Sequence, residues 1–316
     1  MNFQNKNNRF KLVLSVGDES GIGPEITLKA LCSNEIPKNI DFLLVGSKNN
    51  LQKTYEQLRS LGIENLANPK NLKIYDPEIS SSSDESKSSY GNSSFFYLTK
   101  AIEIVKQYPN SALVTGPICK KSWSLAGHHF SGQTEVLAKL CGVKNVGMLF
   151  TAKSPITGWR FNTLLATTHI ALREVPKKLT TKLIHSKLDL FKDFCNTYID
   201  KPTLKVAGLN PHAGEEGILG NEEKDWLNSA LIAWNKKNRD IQLFGPLSPD
   251  SCWNSSAKAW LNKDAERHDG ILAMYHDQGL IPMKVIALNY SVNTTIGLPF
   301  IRTSPDHGTG FDIAGK

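Results

Sequence analysis

Three of the eight histidines in this chain share one kind of position. His169 closes Thr167-Thr168-His169, His212 follows Asn210-Pro211, and His276 precedes Asp277. Each stands at or just past the end of an apolar run that reads as a β-strand. One such histidine is most simply a hydrogen-bonded structural residue. Three at matching places, with no cysteine beside them, point instead to a divalent-metal site. Neutral imidazole suits zinc, cobalt, iron or nickel, and Asp277 adds a hard oxygen if it ligates. The three are far apart in sequence and meet only if the fold brings them together. His128, His129, His185 and His268 have no such placement.

Two further groups carry anion chemistry. The turn Gly17-Asp18-Glu19-Ser20-Gly21-Ile22-Gly23-Pro24-Glu25 follows an apolar run and opens a helix, where backbone N–H groups favour an anion. A tight strand-to-helix turn explains it equally well. It is not the dinucleotide fingerprint: Gly21-Ile22-Gly23 lacks the third glycine, no acidic residue closes a second strand at the expected distance, and a P-loop lysine is missing. Near the C-terminus, Lys284, Asn293 and Arg302 flank or sit in the last expected strand. Arg302 follows the apolar run Gly297-Leu298-Pro299-Phe300-Ile301, so its burial calls for an anion: a ligand carboxylate or phosphate, or an internal salt bridge. Backbone N–H groups around Gly308 and Gly310 form another candidate cradle.

The elements that must position these groups alternate along most of the chain. Strands are expected over 11–16, 41–45, 72–75, 112–115, 145–150, 162–167, 204–209, 241–244, 270–275 and 292–296. Helices are expected over 24–31, 95–107, 135–140, 179–198 and 222–237. Strand followed by helix, repeated, predicts an α/β protein with a largely parallel sheet. Most strands are continuous apolar runs, as expected where helices cover both sheet faces. Ligands of such sheets bind beyond the strand carboxyl ends, where the polar and glycine-rich segments above fall. From Ser80 to Ser94, nine of fifteen residues are serine, which predicts a loop, with Asn92 or Ser93 capping the helix that follows.

Composition narrows the function classes. The chain has 316 residues, 40% hydrophobic and 21% charged, which excludes fibrous and largely disordered proteins and leaves room for about two domains. The net charge of +7 is spread over single lysines, without a basic run or interleaved aromatics, so a nucleic-acid-binding protein is not expected. No stretch approaches the roughly 20 apolar residues of a membrane span. The first eleven residues are polar and resemble neither a signal peptide nor an anchor. Five scattered cysteines without a CxxC pair fit a reducing, cytoplasmic setting.

Several strings are long and chemically unusual: GDESGIGPE, LVTGP at 113–117, ATTHIALR at 166–173, GLNPHAGEEG at 208–217, LAMYHDQGLIPMK at 272–284 and GLPFIRTSPDHGT at 297–309. On these the chain resembles the 4-hydroxythreonine-4-phosphate dehydrogenase family of pyridoxal phosphate biosynthesis. Its two ends also resemble the wider isocitrate/isopropylmalate dehydrogenase-like group, through GDESGIGPE and HGTGFDIAG. The resemblance implies two α/β domains with largely parallel or mixed sheets, an active site in the interdomain cleft, and a homodimer. The expected domains are 1–125 with 289–316, binding NAD, and 126–288, carrying metal, substrate and dimer contacts.

Position by position, the resemblance makes His169, His212 and His276 metal ligands, one of them supplied by the partner subunit. It makes Gln133, Thr134, Lys284, Asn293 and Arg302 substrate contacts, and places the cofactor near His307, Gly308, Thr309, Gly310 and Asp312. Gln133 stands where the family's GHTE motif has histidine, and it cannot carry a proton near neutral pH. The implied cofactors are NAD, with NADP as the alternative, and zinc, magnesium or cobalt. The implied reaction oxidises 4-phosphohydroxy-L-threonine to 2-amino-3-oxo-4-phosphonooxybutanoate, which loses CO₂ to give 3-amino-2-oxopropyl phosphate. Lys284 and Asp277 both stand as candidates for the base. The alternative is a relative acting on erythronate- or threonate-4-phosphate or on a cis-diol carboxylate, which the Gln133 difference keeps open. The resemblance also implies a closing helix beyond the HGT loop, so a chain ending at Lys316 is expected to be less stable and to bind NAD less well.

Overall fold

The computed structural model describes residues 9–37, 39–77 and 86–316. Residues 1–8, with most of the polar N-terminal segment, and Ser80 to Glu85 of the serine-rich stretch lie outside the described residues. In chain order the elements are β1 (Phe10–Ser15), α1 (Gly23–Leu31), β2 (Ile40–Val45), α2 (Lys48–Ser60), β3 (Ile74–Tyr75), α3 (Lys87–Val105), β4 (Ser111–Thr115), α4 (Lys120–Leu125) and α5 (Gln133–Cys141). There follow β5 (Gly147–Lys153), β6 (Arg160–Leu165), α6 (Val175–Lys178), α7 (Thr181–Cys195), β7 (Thr203–Ala207), α8 (Asn228–Lys237) and β8 (Gln242–Leu247). Last come α9 (Asn254–Leu261), β9 (Gly270–Ala273), α10 (His276–Ala287), β10 (Val292–Ile296) and β11 (Ile301–Ser304).

The chain divides into two compact units, 1–144 with 298–316, and 145–297. The crossing points follow Lys144 and Gly297, later than the expected positions at Leu125 and Leu288, because α5 packs on α3 in the first unit and β10 pairs with β5 in the second. In that unit the strands run β3-β2-β1-β4-β11, all parallel. In the second they run β10-β5-β6-β9-β7-β8, with β5 antiparallel to both β10 and β6 and the rest parallel.

Neighbouring residues show why the strands are apolar throughout. Val13 and Leu14 point to opposite faces of β1, and each joins a different buried cluster. Leu164 and Leu165 of β6 divide in the same way in the second unit. Helices therefore cover both faces of each unit's strands. Burying side chains of this size contributes roughly 1.5–3 kcal/mol each.

Three expectations are corrected. Helix α3 begins at Lys87, capped by the Ser86 hydroxyl on the Ser89 N–H, and takes in serines read from the sequence as loop. Their small size is what the packing uses: a Cβ at Gly91 would lie 2.0 Å from Ser122 O, and Ser94 Oγ accepts the buried Trp123 Nε1–H at 2.9 Å. Arg302 lies in a further short strand, β11, which was not among the expected ones. The segment from His276, where no helix was expected, is helical in spite of Pro282 inside it. Gly279 lets this helix press onto β6, since a Cβ there would come within 2.8 Å of the Thr163 and Leu165 side chains.

Candidate functional site

Strands β6, β9 and β7 are neighbours in parallel register, so the segments leaving their carboxyl ends emerge side by side. They carry His169, His276 and His212 respectively. Buried polar bonds tie the three ends together. Met274 O accepts from Thr167 Oγ1 at 2.7 Å and from Thr167 N at 3.2 Å. Gln278, itself buried, accepts from Met274 N at 2.6 Å and donates from Nε2 to Gly208 O at 2.7 Å. Gln278 was not singled out from the sequence; its place in the unusual string at 272–284 was the available signal.

The His169 and His276 rings lie 5.3 Å apart between centroids, tilted by 45°. His276 Nδ1 stands 2.7 Å from Asp277 Oδ1, an arrangement that orients the ring and leaves Nε2 outward. His212 lies on the turn Pro211–Gly217, in a groove lined by Glu215, Glu216, Lys224, Asn228 and Pro246. Among the described residues no three His, Cys, Asp or Glu side chains converge as a metal site. One chain thus joins two of the three expected histidines. That pair, with a carboxylate behind one imidazole, has the donor chemistry of a partial shell for a borderline divalent cation.

Asn293, on β10, has a buried Oδ1 with no hydrogen-bond donor among the described residues. Lys284 is exposed on α10, one turn beyond Leu280.

In the first unit, Arg302 is 4% exposed. Its Nη2 donates to Thr115 Oγ1 at 2.7 Å and to Gln133 Oε1 at 3.1 Å. Gln133 uses its other end as well, donating from Nε2 to Gly116 O at 2.9 Å. Burial pulls the Arg302 guanidinium down to about 10, still charged at neutral pH. A buried guanidinium offers an anion a planar, bidentate donor face. Thr134, half-buried, follows at the start of α5.

The first glycine turn and the C-terminal loop are built against each other. Ile22 N donates to Thr309 O at 2.8 Å, and a Cβ at Gly21 would stand 2.4 Å from that oxygen. Gly308 has open space around it, while His307 and Asp312 are exposed. Glu25 Oε2 accepts from Gly315 N at 3.1 Å, and Gln57 Nε2 donates to Gly315 O, which dock the last residues on α1 and α2.

One feature near the same strand ends was not expected. Glu19 Oε1 accepts from Ser47 N at 3.1 Å and from Tyr97 Oη at 3.0 Å. Burial raises its carboxyl from the usual 4.5 to about 7, with smaller upward contributions from Asp76 and Asp18 opposed by the two donors.

Two α/β units, one interrupted in sequence by the other, with imidazole, guanidinium and glycine-loop groups beyond their strand ends, define an α/β protein of the small-molecule enzyme class. Residues 38–316 match the family described as pyridoxal phosphate biosynthetic protein PdxA, and the chain belongs to that family. It is 50% identical over 310 residues to the 4-hydroxythreonine-4-phosphate dehydrogenase of Synechococcus sp. strain RCC307, covering 97% of this chain and 94% of that one. A relative of the same name in Nostoc sp. strain PCC 7120 is 47% identical, covering 98% of this chain and 88% of its own. The crystal structure of 4-hydroxythreonine-4-phosphate dehydrogenase from Klebsiella pneumoniae superposes with a TM-score of 0.82 at 28% identity, covering 99% of this chain and 94% of that chain.

Proposed function

We propose that this protein is an NAD-dependent, divalent-cation-dependent dehydrogenase that oxidises 4-phosphohydroxy-L-threonine, followed by loss of CO₂, in pyridoxal phosphate biosynthesis. The observation that carries the reading is the near-full-length similarity to relatives bearing that enzyme's name. The geometry supports it with the His169–His276 pair and the buried Arg302.

When bound, NAD⁺ accepts the hydride and a divalent cation supplies the positive charge that a developing enolate requires. His169 and His276 would hold the cation from one subunit, with Asp277 fixing the His276 ring. His212, on an outward turn, would serve the site of a second copy. A homodimer is further supported by α10 and the turn after it, where Ile281, Val285 and Leu288 are 63%, 80% and 65% exposed. Arg302 binds an anionic group of the substrate, Thr134 and Asn293 supply hydrogen bonds, and Lys284 adds charge. Asp277, engaged with His276 Nδ1, and Lys284 in its neutral form are the two candidates for the base that takes the hydroxyl proton. The loops at Gly21 and at His307, Gly308, Thr309, Gly310 and Asp312 would hold the dinucleotide.

The test is NADH formation with 4-phosphohydroxy-L-threonine, erythronate-4-phosphate, threonate-4-phosphate and a cis-diol carboxylate, each with and without added divalent cation. Cation-dependent turnover of the first, well above the others, is expected. Preference for another of the four overturns the substrate assignment, and undiminished turnover in chelator overturns the metal assignment.

A further inference from the structure

The turn that presents His212 is left-handed. His212, Ala213, Glu215 and Glu216 have φ of 50°, 53°, 43° and 58°, and Gly214 between them has 82°. For residues with a Cβ this conformation costs about 1–2 kcal/mol each, so a run of four persists only where surrounding structure imposes it.

The surroundings centre on Glu223, which is 2% exposed and opens the π-helical turn Glu223–Leu227. Its Oε1 accepts from Leu209 N at 2.7 Å and from Asn210 N at 2.8 Å. Its Oε2 accepts from Asn210 Nδ2 at 2.8 Å. The carboxylate also sets the shape of the turn itself: a Cβ at Gly214 would lie 2.9 Å from Oε2, and one at Gly208 would lie 3.1 Å from Oε1. Asn210 O in turn accepts from Ala213 N at 3.0 Å. The one buried carboxylate therefore grips the strand end before His212 and limits the path of the turn after it.

We propose that Glu223 is the positioning residue for His212, holding the left-handed turn so that this imidazole is presented as a metal ligand. The inference rests on the reading of His212 as a ligand. It adds a residue, outside the unusual histidine-bearing strings, on which the site's affinity depends. Buried partners that orient metal ligands typically change affinity by about 10–100-fold when removed.

The experiment titrates the full-length protein with cobalt(II), followed by its visible absorption, in wild type, Glu223→Gln, His212→Ala and the double variant, each checked for native circular dichroism. Glu223→Gln is expected to weaken cobalt binding by about 10–100-fold. In the His212→Ala background the same change is expected to have no further effect, because no ligand is left for it to place. General loosening of the unit would instead weaken the His169–His276 remainder in both backgrounds, which overturns the proposal. A folded Glu223→Gln protein with wild-type affinity also overturns it, provided His212→Ala weakens binding. If His212→Ala itself has wild-type affinity, the ligand reading fails, and this inference with it. Should Glu223→Gln not fold, Asn210→Ala removes one of the three bonds, and a smaller loss, again absent without His212, is expected; unchanged affinity overturns the proposal.

Discussion

Gln133 spans from a backbone carbonyl to a buried cation: its amide donates to Gly116 O at 2.9 Å and accepts from Arg302 Nη2 at 3.1 Å. Both ends are used, so the side chain acts as a strut between the Thr115-Gly116-Pro117 turn and the guanidinium. The amide does this without a proton that comes and goes near neutral pH.

Removing the strut should therefore affect substrate binding first. Gln133→Ala is expected to raise KM for the phosphorylated substrate by about tenfold or more, since hydrogen bonds to charged groups contribute roughly 1.5–3 kcal/mol. Gln133→Glu puts a carboxylate against Arg302 and should raise KM further, because it neutralises the charge the substrate needs. Steady-state kinetics at saturating NAD⁺ check both, and an unchanged KM in Gln133→Glu contradicts the anion-binding role of Arg302.

Asp277 should act on metal affinity through His276. Asp277→Asn keeps the size of the side chain but loses the charge beside Nδ1, and it is expected to weaken cation binding by about 10–100-fold. If instead Asp277 were the base, kcat would collapse at saturating cation with the affinity intact. Equilibrium dialysis against zinc, alongside kcat, separates the two outcomes.

Glu19 predicts a particular pH dependence of stability. Its folded-state carboxyl titrates at about 7 and its unfolded-state one near 4.5, so between these values the folded protein binds more protons. The advantage is fully present below 4.5 and is lost as pH rises through 7, at up to about 1.4 kcal/mol per pH unit in the window. Glu19→Gln, which keeps a neutral side chain at all pH values, should flatten that fall. Urea midpoints of both proteins from pH 5 to pH 8 test it; parallel curves would rule the Glu19 contribution out.

The contact between α3 and α4 should be intolerant of small changes. Gly91→Ala drives a methyl into the Ser122 carbonyl and is expected to cost about 1–3 kcal/mol, as overpacked sites do. Ser94→Ala leaves the buried Trp123 indole N–H without its acceptor, at a similar cost of about 1–3 kcal/mol. Both are read from denaturant unfolding, and neither should alter cobalt affinity, since His169, His212 and His276 belong to the other unit.

Much of the fold was legible because its signals are local. Apolar runs such as Lys11 to Val16 and 270–275 mark strands wherever both faces are covered, and the structure has strands at each expected place. The misses have local causes too. The serines ahead of Phe95 have weak helical preference, and only the closeness of Ser122 and Trp123 to Gly91 and Ser94 makes a helix of them. Arg302 was expected to need an anion, and its burial agrees; that Gln133 and Thr115 would be its neighbours was not legible, since 169 residues separate Gln133 from Arg302.

By itself, then, the sequence determined the alternation of strand and helix, the family, and which side chains are candidates for chemistry, because these follow from residue type and spacing. Only the tertiary structure decided which of them meet. It brought His169 and His276 together through neighbouring strands and set His212 on a left-handed turn of its own. It also closed a buried network of Glu223, Asn210, Gln278 and Met274 beneath the strand ends. The physical reason is that a backbone hydrogen bond or a positive φ is imposed by whatever packs against it, and here the groups that do so come from distant parts of the chain.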